Sequence, residues 1–198
     1  DNPELQAFEK LQRTYTKSDN TLFTIAPRGN DVFAPAVLDA VEYLTLDAWQ
    51  PPFVLRVDSI TNYQHTVATD DDLIVADLVE GAVDLSSPEL SEITRVATNE
   101  PALRSFLVAH EGHTTAVNVT FQMPQLAMDE TPQAVAAARE LAAKLEADYD
   151  VDVHLTGMVM LNNAFFEMAM QDMSMMVPAM YLIIIAVTLL LVRSVTAT

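Results

Sequence analysis

The chain has 198 residues with a net charge of −18, 28 acidic against ten basic side chains, and no cysteine. A surface this acidic repels phosphate backbones and anionic lipid headgroups, so nucleic acid is excluded as a partner. The missing cysteine excludes a disulfide framework, a thiolate nucleophile and cysteine-based metal sites.

The charge is unevenly placed. Residues up to Asp172 hold all the acidic side chains and nine of the basic ones, a net of −19, and Arg193 is the only charge beyond them. A solvated acidic surface explains this better than a cationic substrate does.

Pro3 to Tyr15 is predicted to be a helix, capped by Asp1 or Asn2, with Leu5, Phe8, Leu11 and Tyr15 on one face. A strand from Asn20 to Ala26 follows, closed by the turn residues Pro27 to Asn30. Asp31 is the expected cap of a second helix reaching Trp49, with a stripe of Phe33, Val37, Val41, Leu44 and Ala48. Pro51 and Pro52 end that helix, and Phe53 to Val57 is a short strand, completing a β-α-β unit.

The pattern is weaker from Asp58 to Ser86. Ser59 to Gln64 is a turn or short helix and Leu73 to Val79 a strand, with Asp70, Asp71 and Asp72 between them read as an exposed loop rather than a cation site. Ser87-Pro88 begins a helix to Ala97. Ser105 to Ala109 and Thr114 to Gln122 are expected to form a hairpin about Glu111-Gly112, because Val117, Val119 and Phe121 alternate with polar or small residues. Thr131 caps a helix to Asp148 with Val135, Ala138, Leu141, Ala142 and Leu145 inward, and Val151 to Leu155 is the last strand. Gly157 breaks it.

From Met173 to Val192 there are twenty residues without a charge. A helix of that length rises about 30 Å, the hydrocarbon thickness of a bilayer. The expected organisation is an extracytoplasmic domain over 1–156, with subdomains over about 1–86 and 87–156. A connecting helix over 157–172, a transmembrane helix over 173–193, bent near Pro178, and a cytoplasmic end over 194–198 follow. Arg193 at the end of the span orients the domain outward. The chain begins Asp1-Asn2-Pro3 without a signal-peptide pattern, so export of the domain calls for an upstream membrane helix.

Catalytic constellations are lacking. His110-Glu111-Gly112-His113 lacks the i, i+4 spacing of a metalloprotease helix and reads as a turn, while His65 and His154 are isolated. No nucleophile elbow or phosphate-cradling loop is present, so no enzymatic activity, metal or cofactor is expected. Asn118-Val119-Thr120 matches a glycosylation sequon but lies in a predicted strand, where chance explains it better. Eight of ten methionines fall between Met158 and Met180. They serve either to pack a helix bundle or, with Phe165 and Phe166, to line a hydrophobic path. Glu167 and Asp172 read as boundary carboxylates at the mouth of the span.

Three stretches in order carry a family resemblance. They are Val57 to Asn62 followed by Asp71 to Val79; Phe106 to Val119; and Leu155-Thr-Gly157 followed by Asp172, Pro178 and Arg193-Ser194. Together they resemble the first extracytoplasmic loop and second membrane helix of an exporter of the RND superfamily, on the MMPL and hydrophobe/amphiphile efflux branch. The resemblance implies an α+β fold: porter-type, ferredoxin-like split β-α-β subdomains followed by a transmembrane helix. It implies a proton-driven transporter in the bacterial inner membrane, with residues 1–172 on the periplasmic side and the proton-relay carboxylates elsewhere. Its partners would be the remaining membrane helices and second porter loop, the bilayer and a lipid-like substrate, with homo-oligomer formation open. Gly157, Phe165, Phe166, Met168, Asp172 and Pro178 are the candidate residues for a hydrophobic path and for coupling. The alternative is a membrane-anchored extracytoplasmic ligand-binding or sensor domain.

Overall fold

The computed structural model describes residues 2–14, 19–29, 31–68, 72–124 and 126–192. Its contacts divide the chain into two units, Asp1–Met160 and Leu161–Thr198. The expected Tyr15 position, Asp70 and Asp71 of the acidic triplet, and Arg193 all lie outside the described residues.

Helix α1 (Pro3–Thr14) starts where Asn2 Oδ1 accepts the Glu4 amide at 3.0 Å. Leu5, Phe8 and Leu11 line one side and are each more than half exposed. The strands β1 (Asp19–Pro27), β2 (Val54–Asp58), β5 (Thr115–Phe121) and β6 (Val151–Thr156) form one sheet in the order β2-β5-β1-β6. Every neighbouring pair is antiparallel, so β1 and β2 run parallel with β5 between them, and β5 and β6 run parallel with β1 between them. Helix α2 (Pro35–Asp47) makes the first crossover and α4 (Glu130–Asp148) the second. Both β-α-β units are therefore split, as the fold class expected. The stretches 1–86 and 87–156 supply alternate strands of this one sheet, because each unit needs the other's strand to fill its central gap.

Strand β1 shows why the sheet has two unlike faces. Thr21, Phe23, Ile25 and Pro27 are buried, while Asn20, Leu22, Thr24 and Ala26 between them are only half-buried. Phe23 and Ile25 of this set share one buried cluster with Leu38, Val41 and Leu44 of α2 and Val135, Ala138 and Leu145 of α4. Fully burying such a side chain contributes about 1.5–3 kcal/mol, so the layer of α2 and α4 on this face is a main source of the domain's stability. A surface clasp joins the same helices. Lys144 Nζ donates to Asp47 Oδ2 at 3.1 Å and lies 4.7 Å from the Tyr43 ring centre, and the Tyr149 hydroxyl donates to Asp39 at 2.9 Å.

Several expected boundaries move for local reasons. Asp31 does not cap α2; its Oδ1 accepts the Phe33 amide at 2.9 Å in a tight turn, and the helix begins at Pro35, whose ring fixes a helical φ. Thr131 does not cap α4, which begins one residue earlier. Glu130 there turns back so that Oε1 accepts the amides of Leu126 and Ala127 at 2.7 and 3.0 Å.

Ser105–Ala109 is not a regular strand either. The amides of Phe106, Leu107 and Val108 all point to the carbonyl of Leu103, and Ser105 sits at φ 66°, so the backbone coils on itself. Only the isolated bridge from Val108 to Thr115 remains of the expected ladder. The helix from Ser87, here α3 (Ser87–Asn99), runs two residues beyond Ala97, behind a capping box of Ser86 and Glu89. Between β2 and α3 an antiparallel hairpin forms from β3 (Gln64–Ala68), which was not expected, and β4 (Leu73–Asp77).

Helix α5 (Met158–Val192) is continuous for 35 residues, about 50 Å at a 1.5 Å rise. It is long and apolar enough to cross a membrane, and none of its most apolar stretch is buried. A core helix of a soluble protein of this length would be mostly buried.

Candidate functional site

The junction between β6 and α5 is the most constrained point among the candidate residues. Thr156 pairs with Leu22 on β1, and the next residue, Gly157, turns the chain at φ 110°. A Cβ built there would lie 2.4 Å from the carbonyl oxygen of Asn20 and 3.1 Å from the Thr21 Cα. Only glycine permits the helix to leave the sheet so close to its central strand.

A side-chain relay backs this turn. Asn20 Oδ1 accepts the Met158 amide, the first of α5, at 3.4 Å, a long bond. The Asn20 Nδ2 donates to Asn118 Oδ1 on β5 at 2.8 Å. Asn118 is buried, and its amide in turn reaches Thr120 Oγ1 at 3.5 Å. Central strands, rather than the edge strand alone, therefore fix where α5 begins. The amide groups at a helix start lack intrahelical acceptors, so a side-chain oxygen there satisfies one of them. The same burial explains the sequon: Asn118 sits inside a four-stranded sheet and is committed to Asn20.

The other candidates lie along α5. Phe165 and Phe166 are exposed at 65% and 45%, and Met168 at 64%. Helical geometry sets Phe165, Met168 and Asp172 on one face, with Phe166 and Pro178 off it. Pro178 is inside the helix and has no amide to donate to the Ser174 carbonyl. Met158, Met168, Met170, Met173, Met175, Met176 and Met180 are all exposed, an apolar surface of flexible side chains.

Asn163 was missed in the sequence. It is buried, its amide donates to Glu167 Oε1 at 2.8 Å, and its Oδ1 has no partner among the described residues. A polar residue within an apolar helix was the available signal. Asn20 gave none, because its role depends on a partner 98 residues away.

The histidines occupy separate places. Arg104 donates to His110 Nδ1 at 2.9 Å, His113 lies 3.7 Å from Glu111, and His154 faces Thr24 across the sheet. Among the described residues no three metal-binding side chains converge.

A family model described as the MMPL family matches residues 55–198, from β2 to the end of the chain. Comparison with curated proteins gives no match.

Proposed function

Because the chain belongs to the MMPL family, a family of RND-type membrane transporters, we propose that its sheet-and-helix unit is part of the extracytoplasmic porter domain of an exporter. Helix α5 is then the second membrane helix, and hydrophobic or lipid-like molecules are the cargo. The observation that carries this reading is the combination of a family match over 55–198 with an unburied apolar helix leaving a split β-α-β sheet. The unit works without catalysing a reaction: it shapes a passage, while the proton-driven step belongs to membrane helices outside this chain. Phe165, Met168 and Asp172 on one face of α5 give cargo or neighbouring helices an apolar surface ending in a carboxylate. Gly157 and Asn20 tie the helix to the sheet, so movement of one is passed to the other rather than absorbed in a loose linker.

Labelling topology tests it. These 198 residues hold no cysteine, so Val83→Cys, exposed on the domain surface, can be introduced into the whole protein. A membrane-impermeant maleimide should modify it in intact bacterial spheroplasts. Modification only after the membrane is opened would place the domain in the cytoplasm and overturn the reading.

A further inference from the structure

The residues between β2 and β5 stand outside the four-stranded sheet. The β3–β4 hairpin is continued by bonds from Leu78 to the Tyr63 carbonyl and from Val79 to the Thr61 carbonyl. The chain is then moored on α2 where the Glu42 carboxylate accepts the amides of Gly81 and Ala82, both at 3.0 Å.

Between this hairpin and α3 lies an open groove of about 400 Å³, within the size range of small-molecule sites. Val67 and Ile74 pair across the ladder and share its hairpin wall with Ala76. Buried Ile93 and half-buried Leu78 and Leu85 complete the apolar lining. Asp77, Glu80, Glu89 and Glu92 line it as well; among the described lining residues His65 alone can carry positive charge, and Arg95, outside the lining, pairs with Glu92 and leaves the carboxylates in excess. Donation from the Ser86 hydroxyl and amide holds Glu89 below its usual carboxylate range, and donation from Arg95 does the same for Glu92. Both therefore stay ionised.

That pairing of lining and charge selects the occupant. An apolar body is taken out of water by the walls, which supply the affinity that exposed ion pairs alone do not. An anionic amphiphile meets four carboxylates, and a second copy of this chain would bring the same carboxylates to the interface. We propose that the groove between the β3–β4 hairpin and α3 binds an amphiphilic organic cation. Its apolar body lies against Val67, Ile74 and Ile93, and its head group faces Glu80 and Glu92. The inference stands on the groove and holds whichever side of the membrane the domain occupies, so the topology labelling and the test below can fail separately.

The test is thiol protection in the whole protein held in lipid nanodiscs. Ala76→Cys and Val67→Cys place a thiol on either strand of the groove wall, and Leu126→Cys, 89% exposed and outside the groove, controls for partition into lipid. Octyltrimethylammonium should slow maleimide reaction at both groove thiols several-fold and leave Leu126→Cys unchanged. Octanoate and octyl glucoside should protect much less. Combining Glu80→Gln and Glu92→Gln should raise the half-protecting cation concentration about fivefold. Equal protection by the three octyl compounds, protection indifferent to the double substitution, or no protection at either groove thiol would each overturn the proposal.

Discussion

Asn20 on β1 and Asn118 on β5 meet side chain to side chain at 2.8 Å, on a diagonal of the same sheet face. Because Asn20 also accepts the first amide of α5, one residue joins the two central strands to the start of the membrane helix. Asn118→Ala removes the acceptor and leaves the Asn20 amide without it inside the sheet, at a cost of about 1–3 kcal/mol. Urea unfolding of the detergent-solubilised chain should show a lowered midpoint with an unchanged slope. An unchanged midpoint would mean that the pair contributes nothing.

Gly157 should tolerate no side chain. Its φ of 110° alone costs an L-residue about 1–3 kcal/mol, and the 2.4 Å approach to the Asn20 carbonyl adds a clash with backbone that cannot rotate away. Gly157→Ala should reduce folded protein and transport together. Gly29→Ala, with nothing within 4 Å of the added carbon, should stay within about 0.5 kcal/mol of the parent. Equal behaviour of the two variants, measured by thermal unfolding, would refute the close-packed junction.

The loop before α4 depends on Glu130. This buried carboxylate accepts two backbone amides, and hydrogen bonds to charged groups contribute about 1.5–3 kcal/mol each. Glu130→Ala should destabilise the domain by about 2–4 kcal/mol. It should also make the Leu126–Met128 segment, already almost fully exposed, the first site of limited proteolysis.

Alkaline pH should loosen the α2–α4 clasp. Burial first, and then its hydrogen bond to Asp39, push the Tyr149 phenol up to about 12. Its folded value exceeds the unfolded value of about 10, so this contribution is complete below pH 10 and is lost as pH rises toward 12. Asp47 has the opposite sign. The nearby Tyr43 hydroxyl first, and then the hydrogen bond from Lys144, hold it below its usual range, so its contribution is present above about pH 4 and lost on acidification. Melting temperature against pH should fall at both ends, and Tyr149→Phe should flatten only the alkaline limb.

Local signals carried much of the secondary structure. The α4 face of Val135, Ala138 and Leu145 repeats at helical spacing, and the β5 alternation of Val117, Val119 and Phe121 marks a strand whether or not its neighbours are known. The β3–β4 hairpin was legible only in part. All five residues of β4 and four of the five in β3 are exposed, so no half-buried alternation distinguishes the pair. Ser105–Ala109 carried a strand-like composition, but its amides turned to the Leu103 carbonyl instead. Of the candidate site, Gly157 and the apolar face of α5 could be read, while the asparagines that seat the helix could not.

The sequence by itself determined the membrane helix, the acidic domain before it and the two β-α-β units, because hydropathy, charge and periodicity act over a few neighbouring residues. Tertiary structure alone decided that those units share a sheet, since strand order rests on pairings such as Thr24 with His154, residues distant in the chain. It also decided that Gly157 is a tight seat against Asn20 rather than a simple break after the last strand. A close approach of two backbones depends on distance in space, and residue order does not encode that directly.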